Sequence, residues 1–322
     1  MTIDHIAVVG AGAWGTALAL AAHRAGRRVT LWGRDTTEMA ARRENIAHLP
    51  GVALPDAMTI TSRIDAVVAA DAILLATPAQ TVREVAGHLA AIAEDTPVVL
   101  CAKGLERGTA KRMTEVLGEA LPPAAPVVLS GPSFAVDVAR GLPTAVTIAA
   151  PDLKLAMALC HALGSASFRP YAETDVLGVE IGGAFKNVLA IAAGIVAGRE
   201  LGASASAALI ARGFAELRRL GEAQGALPET LMGLSGLGDL VLTCSSTQSR
   251  NFAYGHALGA GAALPPALAE GAATAPVARD LAKSLDVPMP ITEAVAAILE
   301  GKLSIDAAVE ALMLRPLKRE AD

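Results

Sequence analysis

Aromatic side chains are scarce. Two Trp, two Tyr and five Phe make up 3% of the 322 residues. Yet 53% of the chain is hydrophobic and only 18% is charged, which excludes a disordered chain. The expected core is therefore built from alanine, glycine and aliphatic side chains on elements that approach closely. Basic tracts are also missing. Lys and Arg number 27 against 32 Asp and Glu, a net charge of −5. With no basic run and no basic–aromatic interleaving, nucleic acid is not an expected partner. Cysteine is limited to Cys101, Cys160 and Cys244, scattered and without CxxC spacing. This argues against a disulfide framework or a structural zinc, so no metal is expected and a reducing cytoplasm is the simplest home. No uninterrupted apolar run reaches about 18 residues. The longest, Val188 to Gly198, follows Lys186. Near the N-terminus no basic stretch precedes an apolar core, so neither a signal peptide nor an integral membrane segment is expected.

What is present is alternation. Strand-like runs fall at 5–10, 27–32, 72–77, 97–102, 125–130 and 144–149, with a weaker one at 167–171 that contains Pro170. Helical spacing fills 14–25, 36–46, 79–92, 109–119 and 152–163. Apolar strands alternating with helices predict a parallel sheet covered on both faces. After about residue 172 strands nearly vanish. Helical spacing then occupies 174–197, 203–224, 249–258, 275–285, 292–299 and 304–312, with Thr292 and Ser304 as N-caps and Gly301 as a stop. The fold class is α/β: an N-terminal doubly wound, Rossmann-type domain over 1–179, then an all-helical substrate domain over 180–322.

GAGAWG, Gly10 to Gly15, ends the first strand run and opens a helix. Gly10 permits the tight turn, Gly12 lets a pyrophosphate approach the backbone, and Gly15 lets helix and strand pack. The second strand ends WGRD, and Arg34 suits a ribose 2′-phosphate. Asp35, one step on, keeps NAD possible, but NADP is favoured. Ligands of such sheets bind beyond the strand carboxyl ends. There Lys103 follows the run VVLCA and is a candidate for contacting an anionic substrate or orienting its carbonyl.

Between Ile181 and Gly198 the only charged residue is Lys186, and the only other polar side chain is Asn187. An unpartnered buried ammonium is costly. A lysine in a water-poor cleft can, however, protonate the oxygen of a ketone as it accepts hydride. Such an amine works best with its pKa drawn towards neutrality by desolvation and a second cation, for which Lys103 is available. Asn187 would donate its amide to a substrate hydroxyl or orient the lysine. GLSGLGDL, residues 233–240, reads as an irregular, tightly packed loop holding Asp239 among apolar neighbours. A carboxylate there wants a cation, and Lys186 would serve. TQSRN then places Ser249, Arg250 and Asn251 at a helix start, an anion site suited to phosphate. Each feature alone would read as a cap or a surface charge; together they describe a site.

These segments resemble one family, the bacterial NAD(P)-dependent glycerol-3-phosphate dehydrogenases. The resemblance covers nearly the whole chain, through GAGAWGTALA, LWGRD, CAKGLE, SGPSFA, GLPTA, GGAFKNVLAI, GLGDLVLTC, QSRN and MPITEAV. It implies reversible reduction of dihydroxyacetone phosphate to sn-glycerol 3-phosphate, feeding phospholipid synthesis in the cytoplasm, by a homodimer. It implies Lys186 as proton donor and acceptor. Lys103, Gly131, Ser133, Asp239, Ser249, Arg250 and Asn251 would line the substrate. Ala13, Trp14, Arg34, Lys103, Ala135, Arg250 and Glu270 would touch NADP or NAD. The chain departs from the family pattern at ALAEGAATAPVA (267–278), which is alanine-rich and short. That departure bears on Glu270 and on the share of this loop in cofactor binding. Two other functions fit parts of the pattern. A β-hydroxyacid dehydrogenase would share the plan and the lysine–asparagine pair but act on a carboxylate. A non-catalytic dinucleotide sensor would keep the glycines and need neither Lys186, Asp239 nor Arg250.

Overall fold

A computed structural model describes residues 2–266, 269–317 and 319. Its strands are β1 (His5–Val9), β2 (Arg28–Trp32), β3 (Thr59–Thr61), β4 (Ala72–Leu75), β5 (Pro97–Leu100), β6 (Ala125–Ser130), β7 (Thr144–Ala149) and β8 (Phe168–Glu173). Helices of the first half are α1 (Ala13–Arg24), α2 (Thr37–Arg42), α3 (Val82–Gly87), α4 (Met113–Ala120), α5 (Ala135–Ala139) and α6 (Leu153–Leu163). The long α7 (Val176–Gly198) follows, then α8 (Ala203–Ala223), α9 (Pro228–Met232) and α10 (Asp239–Thr243). The last are α11 (Arg250–Gly259), α12 (Glu270–Ser284), α13 (Pro290–Leu299) and α14 (Ile305–Met313). By contact the chain forms two units. The first is Met1–Ala184 with Gly225–Leu242, and the second is Phe185–Gln224 with Thr243–Asp322. The chain thus passes from one unit to the other within α7.

The first unit is an eight-stranded sheet in the order β3-β2-β1-β4-β5-β6-β7-β8. The expected alternation is there: Ile6 and Val8 pack with α1 and α6 on one face, while Ala7 and Val9 pack towards Val82, Met113 and Leu117 on the other. Helices on both faces account for strands that are apolar throughout. The order reverses at β1, between β2 and β4, the switch point where doubly wound sheets bind ligands. One expectation needs correcting. β7 runs antiparallel to β6, so the sheet is mostly rather than wholly parallel. An apolar run does not encode its direction; the short α5 between β6 and β7 does not carry the chain back across the sheet. β8 does form despite Pro170, because it lies at the sheet edge, where a missing donor is tolerated.

Several helices are shorter than their spacing predicts. α2 stops at Arg42 because Arg43 turns left-handed (φ 52°). The segment before α4 is held out of a helix: Gln80 accepts from the Arg107 N–H at 3.0 Å, and Arg83 pairs with Glu106 at 2.8 Å. The 233–240 stretch is more regular than the loop expected, with a π turn over Leu234–Gly238 leading into α10.

The second unit is helical. Its close approach follows from composition. A side chain on Gly255 or Gly259 of α11 would run into the α7 backbone at Ile191 or Ile195. α7 is long and apolar enough, by length and composition alone, to cross a membrane, but 89% of its most apolar stretch is buried within the protein. Ser304 caps α14 as expected, accepting from the Ala307 N–H. Thr292 does not cap α13. That helix opens with Pro290, and its free N–H groups at Ile291 and Thr292 are taken by Glu216 of α8, at 2.7 and 3.1 Å. α12 begins at Glu270, five residues earlier than expected, because Asn251 accepts from the Gly271 N–H and Thr274 bonds the Glu270 carbonyl. Of the 267–278 loop, residues 267 and 268 lie outside the described residues.

Candidate active site

The glycine loop has the properties a dinucleotide needs. Gly10 sits at φ 116°, and a Cβ there would lie 2.8 Å from the Ala76 carbonyl, so the turn requires glycine. A Cβ on Gly12, by contrast, would meet nothing within 4 Å, leaving that side of the loop open. Gly12 precedes α1 without a side-chain cap, and the first turn holds no acidic residue. Its N–H groups at Ala13, Trp14 and Gly15 lack partners within the helix and favour an anion. The Thr77 hydroxyl, just past β4, is buried with no hydrogen-bond partner among the described residues. These residues fit a pyrophosphate and its sugar.

Arg34 follows β2 and is exposed, and its side chain makes no ion pair among the described residues. Asp35, next to it, is also exposed. Its carboxylate accepts from the Thr37 N–H at 3.0 Å, which holds its pKa below the usual range. Ala135 is half-buried at the start of α5.

At the ends of β5 and β6 the first unit gathers a charged set. Lys103 Nζ donates to Asp239 Oδ2 at 2.6 Å and to the Gly131 carbonyl at 3.3 Å. Asp239 is only 1% exposed. Within this unit Lys103 supplies a cation to it. The Ser133 hydroxyl donates to the Gly131 carbonyl at 3.0 Å. Gly183 of α7 lies against this set: a Cβ there would be 2.7 Å from the Ser130 hydroxyl and 3.4 Å from Lys103 Cγ. Ser130 itself is buried, with no partner for its hydroxyl among the described residues. Nearby, Glu180 of α7 accepts from the Thr114 N–H and hydroxyl at 3.0 and 2.7 Å, fixing α7 to the start of α4. Burial pushes the Glu180 carboxyl pKa up.

The second unit holds the other expected residues. Lys186 is 6% exposed and donates to the Thr243 hydroxyl at 2.6 Å. Sequence reasoning did not single out Thr243. Its signal was present: it lies four residues after Asp239, one helical turn along α10. Asn187 accepts from Asn251 Nδ2 at 2.9 Å. Ser249 caps α11, accepting from the Phe252 N–H at 3.3 Å, so the helix start expected at 249–251 is there. Arg250, the first residue of α11, is exposed and makes no ion pair among the described residues. Glu270 opens α12, half-buried. All three cysteines are buried, and none forms a disulfide among the described residues. Burial raises the Cys101 thiol to about 12, which makes it inert.

The first unit holds a nucleotide-type loop and a charged pair at strand ends, and the second a buried lysine on a helix and an arginine at a helix start; each set is of the kind that carbonyl reduction of a small anion uses. Comparison with known proteins gives the same direction. A family model described as NAD-dependent glycerol-3-phosphate dehydrogenase N-terminus matches residues 5–156. Its C-terminus counterpart matches 175–310. A protein of Bradyrhizobium sp. (strain ORS 278), named glycerol-3-phosphate dehydrogenase (NAD(P)+), is 64% identical over 320 residues, 98% of each chain. One of the same name from Azorhizobium caulinodans is 61% identical and covers 99% of each. A solved structure of a glycerol-3-phosphate dehydrogenase from Coxiella burnetii superposes with a TM-score of 0.92 at 38% identity, over 97% of this chain and 99% of that one.

Proposed function

The chain belongs to the NAD-dependent glycerol-3-phosphate dehydrogenase family, and from that premise we propose how its residues divide the work. The reaction is the reversible, NAD(P)-dependent reduction of dihydroxyacetone phosphate to sn-glycerol 3-phosphate. When bound, the nicotinamide supplies the hydride or takes it back. Lys186 gives the proton that the reduced oxygen needs, and in reverse it removes it. The observation that carries this role is an ammonium kept in a 6%-exposed position, its direction held by the Thr243 hydroxyl.

Lys103 faces the substrate with the donor capacity that Asp239 and the Gly131 carbonyl leave it, and Asp239 keeps it in place. Gly131 and Ser133 complete that wall. Arg250, with Ser249, Asn251 and the first-turn N–H groups of α11, takes the phosphate dianion. Asn187 donates to a substrate oxygen. Gly10, Gly12, Ala13, Trp14 and Gly15 hold the pyrophosphate, and Lys103, Ala135, Arg250 and Glu270 complete the cofactor contacts. Arg34 meets the 2′-phosphate, so NADP is preferred to NAD. Residues 1–179 serve mainly the cofactor, with Lys103, Gly131 and Ser133 facing the substrate, and 180–322 serve mainly the substrate, with Arg250 and Glu270 reaching the cofactor. The enzyme works as a homodimer in the cytoplasm and feeds phospholipid synthesis.

The test is loss of NADPH absorbance with dihydroxyacetone phosphate, with unphosphorylated dihydroxyacetone and with a small keto carboxylate. The phosphate ester should be favoured in kcat/KM by about 10³-fold or more, a margin that Arg250→Ala removes mainly by raising KM. Comparable turnover of the keto carboxylate would overturn the assignment.

A further inference from the structure

The amides of the helical unit form a chain with a direction. The main-chain N–H of Gly271 donates to Asn251 Oδ1 at 2.9 Å. Asn251 Nδ2 then donates to Asn187 Oδ1, also at 2.9 Å. A backbone N–H can only donate, whereas a side-chain amide can be turned either way. Gly271 therefore sets the polarity. It holds the Asn251 oxygen towards α12, which sends the Asn251 NH₂ towards α7, which in turn claims the Asn187 oxygen. What remains on Asn187 is its own NH₂ group, carrying two donors. Both side chains are buried, Asn187 at 5% and Asn251 at 8% exposure. Turning either amide would set donor against donor or oxygen against oxygen, at about 1–3 kcal/mol for each group left unmatched. The position also needs glycine. A Cβ on Gly271 would lie 3.0 Å from Asn251 Oδ1 and would overlap the main-chain oxygen of Asn187.

We propose that Gly271 is a positioning residue for the substrate: through Asn251 it turns Asn187, the neighbour of Lys186, so that this residue offers donors and not an acceptor to a substrate oxygen. This rests on the assignment of Asn187 and Asn251 to substrate binding. Gly271 acts at one remove, through two amides whose chemistry a change at 271 leaves intact.

Gly271→Ala tests it by calorimetric titration, with sn-glycerol 3-phosphate on the NADPH-loaded enzyme, a pair that cannot exchange hydride, and with NADP⁺ on the enzyme alone. The sugar phosphate should bind about tenfold more weakly. NADP⁺ affinity should change less than about threefold, a split that general loosening of the fold would not produce. A folded Gly271→Ala protein with wild-type affinity for sn-glycerol 3-phosphate overturns the positioning role. Asn187→Ala separates that outcome from failure of its premise. Wild-type affinity in Asn187→Ala removes the amide from the site altogether; weakened binding there beside an unaffected Gly271→Ala removes only the role of Gly271. If Gly271→Ala does not fold, hydrogen exchange decides. The Gly271 amide should exchange at least about tenfold faster in Asn251→Ala than in wild type, and equal rates would break the chain at its first link.

Discussion

The two units hold their buried charges by different means. At the strand ends of the sheet unit, Lys103 meets a full opposite charge, Asp239, at 2.6 Å. In the helical unit, Glu216 is met by neutral donors, the N–H groups of Ile291 and Thr292 and the Thr292 hydroxyl. The physical consequence differs. A desolvated ion pair is stable only while both partners stay. A carboxyl held mainly by dipoles can take up a proton, and burial pushes Glu216 up to about 7 against its N–H donors and the charge of Arg219. Glu180 shows the second device inside the first unit, so helix packing, and not the unit as such, selects it. Strand ends place charges for a ligand to meet. Helix starts borrow acids from distant helices to settle their own free N–H groups.

The largest break in that comparison is expected at the pair. Lys103→Met removes the cation 2.6 Å from the buried Asp239 carboxylate and should destabilise the sheet unit by about 3 kcal/mol. A thermal midpoint within about a degree of wild type would mean the pair is not held as described. The next effect separates the two devices by pH. Glu216 has a raised folded-state pKa, so its contribution is complete below the unfolded value near 4.5 and is lost as pH rises through about 7. Urea unfolding should therefore show wild type losing on the order of 3 kcal/mol relative to Glu216→Gln between pH 4.5 and pH 8. Parallel stability curves for the two proteins would refute it. The smallest change lies at the surface. Arg34→Ala should lower the NADPH-to-NADH ratio of kcat/KM by about tenfold. An unaltered ratio would remove the 2′-phosphate role.

The same contrast explains what could be read from residues alone. Glycine turns and apolar strands are local signals, so the loop at 10–15 and seven of the strands were visible. β3 was not, because Thr59–Thr61 is three residues long and two of them are polar. The direction of β7 was hidden because it depends on the path of the chain. Ser304 was legible as a cap and Ser249 as part of a helix start, and each bonds an N–H group three residues on. The cap of α13 was not, since its acid lies 75 residues away in Glu216. Lys186 stood out against an apolar run. Thr243, which holds it, looked like an ordinary helix residue, and the amide chain from Gly271 needed three segments brought together.

The central claim is that the Lys186 amine moves the proton. Its most direct measurement is kcat of Lys186→Ala with dihydroxyacetone phosphate and NADPH, with and without added ethylamine. The account predicts a fall of about 10³-fold or more, partial recovery that rises with amine concentration, and NADPH affinity within a few-fold of wild type. Wild-type kcat in the absence of any amine would contradict it.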